Sequence, residues 1–189
     1  SRISREIEVS ATTVLREIRR NSNANGYNPL EINLKNVVSK NVTVKNCKFA
    51  NFSNNAMTVF GMAEGGVLNI ENNTFDLGKT SEAVRISNKT NTKFTINVKD
   101  CSYTYPTDAA GQVVGFFLFE DHTSKTAEEA NAAMQFKNLK VNVDNVTFEG
   151  AKVTELNLFS GARNQFACMY YDKSGYVVDA THFPTFNFK

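Results

Sequence analysis

VTVKNCKF (residues 42–49), LNIENNTF (68–75), INVKDCSY (96–103) and VNVDNVTF (141–148) share one pattern. Apolar residues alternate, Asn or Asp stands fifth, and an aromatic follows three positions later. The segments begin 26, 28 and 45 residues apart, the last gap being one period plus about seventeen residues. A second apolar segment follows each: AMTVF from Ala56, AVRIS from Ala83, VVGFFLF from Val113 and LNLF from Leu156. Alternation with a period of two marks strands. Such strands cannot bury an apolar face alone, but stacking each repeat on the next gives every strand a parallel neighbour roughly 4.8 Å away. The repeat therefore predicts a solenoid of short strands separated by turns.

In that stack Val42, Val44 and Phe49, Leu68, Ile70 and Phe75, Ile96, Val98 and Tyr103, and Val141, Val143 and Phe148 point inward in columns. Phe49, Phe75, Tyr103 and Phe148 are expected to form a core aromatic stack. The fifth-position residues Asn46, Asn72, Asp100 and Asn145 tolerate left-handed backbone and satisfy local backbone groups at a bend. Four aligned occurrences predict a structural ladder of hydrogen-bonded side chains; a hydrophilic turn accounts for one of them alone.

Motifs such as VTVKNCKF and LNIENNTF resemble the coils of right-handed parallel β-helix proteins of the pectate-lyase-like superfamily, a fold also used in bacteriophage virion proteins. The resemblance covers roughly residues 30 to 160. It implies an all-β chain, a short right-handed single-stranded parallel β-helix of about 4–5 coils over residues 31–161. KTAEEANAAM (125–134) is rich in helix formers and predicts one helix inserted near 123–136. An open stack needs caps, for which residues 1–30 and 162–189 are the candidates.

TTVLREIRR (12–20) predicts a short amphipathic helix, serving as an N-terminal cap or arm. The stretch SRISREIEVSATTVLREIRRNSNANGYNP (1–29) also resembles the helix-turn-helix of insertion-sequence transposases, which implies DNA binding. A reading helix needs a folded support and a basic surface, whereas Glu6, Glu8 and Glu17 offset most of Arg2, Arg5, Arg16, Arg19 and Arg20. At the other end, NQFACMYYDKSGYVVDATHFPTFNFK (164–189) is too apolar for a free tail. It is expected to fold over the last coil, with His182 in that aromatic cap, or to meet another subunit.

Lys and Arg number 21 against 19 Asp and Glu, a net charge of +2, so charge alone argues for neither nucleic acid nor membrane. No run of eighteen apolar residues and no secretory leader is visible. Three cysteines, Cys47, Cys101 and Cys168, lack CxxC spacing and read as small buried hydrophobes, with neither a disulfide scaffold nor a zinc site implied. Asn41, Asn51, Asn72, Asn88 and Asn145 begin NxS or NxT triplets, which an Asn- and Thr-rich repeat produces by chance. No metal or cofactor is expected.

The resemblance to the hydrolase branch of that superfamily implies NTD, DD, GHG and RIK elements, of which only VRIS (84–87) is similar to one. Polysaccharide-cleaving sites need convergent carboxylates. Glu120, Asp121 and His122, with Arg85, form the densest polar surface group. Adjacent residues in a strand point to opposite sides, so this is a poor catalytic constellation. The expectation is a non-enzymatic structural or binding protein, a phage virion component such as a capsid decoration, head-fibre or tail protein, located in the virion after assembly in the host cytoplasm. Its partners are then other virion or assembly subunits, reached through the N-terminal arm or the C-terminal aromatic segment. Alternatives are a carbohydrate-active or glycan-binding protein using an outer groove, and DNA binding through the N-terminal helix.

Overall fold

The computed structural model describes residues 22–23, 26–27, 32–34, 39–50, 54–78, 82–87, 92–106, 115–121, 136–171, 175–176 and 183–189. The expected helices over 12–20 and through 125–134 lie outside these residues. Among the described residues, eighteen strands follow in chain order. A small antiparallel pair, β1 (Ser22–Asn23) with β2 (Gly26–Tyr27), comes first. Then come β3 (Ile32–Leu34), β4 (Asn41–Lys45), β5 (Lys48–Phe49), β6 (Asn55–Val59), β7 (Gly66–Glu71), β8 (Thr74–Asp76) and β9 (Glu82–Ile86). They are followed by β10 (Phe94–Lys99), β11 (Ser102–Thr104), β12 (Phe117–Asp121), β13 (Lys140–Asp144), β14 (Thr147–Phe148) and β15 (Ala151–Lys152). The last are β16 (Ala167–Tyr171), β17 (Gly175–Tyr176) and β18 (Thr185–Phe188).

These strands make three larger sheets, visited in rotation. The first has the order β18-β13-β10-β7-β4, the second β15-β14-β11-β8-β5 and the third β17-β16-β12-β9-β6-β3. Pairing within them is parallel except at β14 with β15 and β16 with β17. In the first sheet Val44, Ile70, Val98 and Val143 stand in successive register, as do Val42, Leu68, Ile96 and Val141. β18 adds Phe186 and Phe188 to the same two rows. The third sheet contributes Met57, Val84 and Phe117, then Val59, Ile86 and Phe119. All of these except Phe186 and Phe188 are buried, so the alternating apolar residues face a single core.

The first strand of each motif ends at its fifth residue because that residue turns the chain. Asn46, Asn72, Asp100 and Asn145 have φ of 58°, 51°, 51° and 50°, the left-handed region that Asn and Asp adopt most readily after Gly. The sixth residue then tucks inward: Asn73, Cys101 and Val146 are buried and Cys47 is half-buried. Asn73 Nδ2 donates to Val44 O (2.9 Å), and Asn73 Oδ1 accepts from the Cys47 N–H (2.9 Å), which satisfies a polar group inside the bend.

The aromatic rings pair rather than form one column. Phe49 stacks on Phe75 with centroids 5.0 Å apart, and Tyr103 lies 5.0 Å from Phe148. Phe116 stands edge-on to both Phe75 (5.1 Å) and Tyr103 (5.4 Å) and joins the two pairs across the core. Gly115 precedes it because a side chain there would press on the Phe166 backbone at 3.0 Å.

LNLF does not form the fourth strand of the third sheet. Glu155–Asn157 is a 3-10 turn, and Leu156 is 86% exposed. Glu149 (φ 48°) and Gly150 (φ 85°) reverse the chain into β15 beforehand, so the sheet is continued by β16 instead. The segment expected as a cap, 162–189, thus supplies β16 and β18 to the sheets. Of the helix expected near 123–136, only Phe136 is described, in a 3-10 turn, Phe136–Asn138. Among the described residues, no helix is long and apolar enough to cross a membrane.

Candidate functional site

Each strand of the first sheet turns every second side chain away from the core, and those side chains form three rows. The middle row is Thr43, Asn69, Asn97, Asn142 and Asn187. Asn69 Nδ2 donates to Thr43 Oγ1 (3.3 Å), Asn97 Nδ2 to Asn69 Oδ1 (2.8 Å), Asn142 Nδ2 to Asn97 Oδ1 (2.8 Å) and Asn187 Nδ2 to Asn142 Oδ1 (3.0 Å). Each amide inside the row gives one hydrogen to the strand before it and receives one from the strand after it. The flanking row alternates in charge from strand to strand: Lys45, Glu71, Lys99 and Asp144 in register, then Lys189 one residue beyond Phe188. Opposite charges on neighbouring strands attract, and the alternation gives each an unlike neighbour.

At the bend, a second ladder lies beside the first. Asn72 Nδ2 donates to Asn46 Oδ1 (2.8 Å) and Asn145 Nδ2 to Asp100 Oδ1 (2.7 Å). These are two hydrogen-bonded pairs, Asn46 with Asn72 and Asp100 with Asn145. The backbone N–H groups of Asn46, Asn72 and Asp100 meanwhile donate to Glu71 O (3.1 Å), Lys99 O (2.9 Å) and Asp144 O (3.0 Å), so the turns themselves are stitched together.

The polar group singled out in the sequence is divided by the third sheet. Arg85 of β9 and Glu120 of β12 form an ion pair, Arg85 Nε with Glu120 Oε1, and both side chains are largely shielded from solvent. Arg85 lies in register with Leu118, so the pair is diagonal across neighbouring strands. Asp121 is described only through its backbone, in register with Tyr171, and His122 lies outside the described residues. Glu120 is thus committed to a cation.

Glu82 opens β9 on the core side, opposite Asn55, whose Nδ2 donates to Glu82 Oε2 (2.7 Å). Burial pushes this carboxyl from 4.5 up to about 7, against the opposing pull of the Asn55 bond and of Arg85. The Cys168 thiol is likewise driven well above its ordinary range by burial, with the Glu82 charge adding to it. Both groups are buried, 3% exposed, and a reactive thiolate is disfavoured at Cys168.

A further cluster fastens the excursion after β14. Arg163 grips Glu149 with two nitrogens (2.5 Å each), donates to Tyr105 O (2.5 Å), and sets its guanidinium 5.2 Å from the Phe148 ring centre. That bond to Arg163 holds the Glu149 carboxyl below its ordinary range. Among the described residues, no group of three or more His, Cys, Asp or Glu side chains is placed to hold a metal ion.

The middle amide row is the main feature missing from the motif reading, although its signal stands in the sequence as the central residue of VTV, LNI, INV, VNV and FNF. No family model, no curated protein and no solved structure matches the chain.

Proposed function

We propose that the three sheets are the walls of a short right-handed parallel β-helix, and that the chain is a structural, surface-presenting module of a bacteriophage virion and not an enzyme. Support for the winding comes from the rotation of the chain through three parallel sheets at the repeat spacing. Support for the hand comes from the general preference of parallel crossovers for right-handed connection. The observation that carries the functional reading is the middle amide row: the polar side chains on the broad face of the first sheet are spent on one another. Such a face is repetitive and cross-bonded from strand to strand, suited to spacing and docking. A polysaccharide-cleaving site needs convergent carboxylates, whereas Glu120 is held by Arg85.

The test is mass spectrometry of purified particles from the native source. Recovery of this chain in stoichiometric ratio to a major capsid or tail protein supports the reading. Turnover of polyuronates by the purified chain, lost on Glu120→Gln, would replace it with the enzyme alternative.

A further inference from the structure

Asn55 and Glu82 are the first residues of β6 and β9 and stand in register on those parallel neighbours. They are 1% and 3% exposed, a setting in which a polar atom without a partner is costly. The pair is half made. Asn55 Nδ2 donates to Glu82 Oε2 (2.7 Å), while Asn55 Oδ1 accepts no hydrogen bond among the described residues. Turning the amide over does not help, because it sets a carbonyl oxygen against the carboxyl oxygen. What Oδ1 lacks is a hydrogen, and a neutral carboxyl carries one. With a proton on its second oxygen, Glu82 can donate to Asn55 Oδ1 while accepting from Nδ2, which closes an acid–amide ring of two hydrogen bonds.

Counting charge leads to the same protonation state. Among the described residues, the charged and titratable groups around Glu82 are Arg85 on its own strand, Glu120 of β12 and the Cys168 thiol of β16. β6 contributes only the Asn55 amide. Arg85 is paired with Glu120, and burial keeps the thiol neutral. A neutral Glu82 leaves this group balanced, whereas an ionised one leaves a net negative charge shielded from water. Exposure to water relieves that charge, and both residues begin their strands, where local opening is least costly.

We propose that Glu82 and Asn55 form a proton-operated latch between β6 and β9, closed by an acid–amide ring while Glu82 is neutral and opened at the strand starts when it ionises. Burial, which lifts this carboxyl from 4.5 to about 7, sets the working range. The latch is tightest below about 4.5, loosens as the pH climbs and levels off above about 7. The device stands on the geometry of the pair and is independent of the virion reading.

The experiment is NMR on the full chain between pH 5 and pH 8. The Glu82 carboxyl carbon should titrate near 7, and the Asn55 side-chain amide signals should move with the same midpoint. That titration is read on the wild-type chain and does not depend on a variant. Opening is read from hydrogen exchange at Ala83. The Ser87 N–H donates to Val59 O (2.8 Å), and alternate residues of a parallel strand face the same neighbour, so the Ala83 N–H faces β6 beside the pair. Its exchange rate is divided by that of Glu82→Gln, which removes the direct effect of pH on exchange. The ratio should rise on the order of 70-fold across the range, as expected for a carboxyl that titrates at 4.5 when open and about 7 when closed. Low urea should leave the rate unchanged, the mark of a local opening. A carboxyl that titrates in the ordinary range, Asn55 signals that ignore the titration, or a flat exchange ratio would overturn the latch. So would Ala83 exchange that rises with urea as global unfolding does, since the strand starts then do not open on their own.

Discussion

Replacing Glu82 by Gln should stabilise the protein above neutral pH and lose that advantage as the pH falls. The carboxyl lies on the core side of β9 beside Asn55, the two being 3% and 1% exposed, and burial raises it from 4.5 to about 7. A raised acid binds its proton more tightly in the folded chain than in the unfolded one. The resulting stability is complete below about 4.5 and is lost as the pH climbs through about 7. At roughly 1.4 kcal/mol for each tenfold change, full ionisation costs on the order of 3 kcal/mol. The substituted side chain cannot ionise and keeps an oxygen for Asn55 Nδ2. It also brings an N–H that can meet Asn55 Oδ1, which accepts no hydrogen bond among the described residues of the wild-type chain. Urea unfolding of both proteins, followed by circular dichroism between pH 5 and pH 8, should show the gap in favour of the variant widening by about 2.5 kcal/mol across that range. A gap that does not change with pH, or a Glu82→Gln protein less stable than wild type at pH 8, would refute the reasoning.

Ile70→Ala removes a side chain from the middle of a core row and should cost about 2–5 kcal/mol in urea unfolding, whereas Thr95→Ala on the outer face of the neighbouring strand should cost under about 0.5 kcal/mol; similar losses at both would contradict the register. Asn97→Ala takes two bonds out of the middle amide row, both 2.8 Å long, and should lower stability by about 1–2 kcal/mol, the partly exposed setting keeping the loss modest. At Asn72, with φ 51°, Ala should be about 1 kcal/mol less stable than Gly. Both replacements lose the bond to Asn46, so their difference isolates the left-handed backbone and is read directly from thermal midpoints.

The strand rows of the first two sheets were legible because each motif couples two independent signals. The period of two says which residues face inward, and the Asn or Asp that follows says where the strand must end. Val44, Ile70, Val98 and Val143 fall in one row because the left-handed residue lies two positions beyond each of them. The third sheet has no such terminator. Its strands were read from apolar content alone, which located β6 and β9 but assigned LNLF to a place taken by ACMYY of β16. The sign of that error was present in Glu149 and Gly150: a turn directly after β14 sends the chain backward, and a segment leaving on a reversed path cannot supply the next parallel strand.

FNFK was hidden for a different reason. It repeats the apolar, Asn, apolar, charged order of VNVD and LNIE, but its phenyl rings among other aromatics suggested a cap. Geometry separates a cap from another strand: a cap covers Val141 and Val143 without continuing the amide row, whereas Asn187 lies over Asn142 and donates to it at 3.0 Å. The Arg85–Glu120 pair could not have been inferred from spacing along the chain, since it depends on β9 and β12 becoming neighbours with Leu118 opposite Arg85. That same adjacency sets the Glu120 carboxylate diagonally across from the Arg85 guanidinium, both largely shielded from solvent, so each charge has its counter-charge on the neighbouring strand.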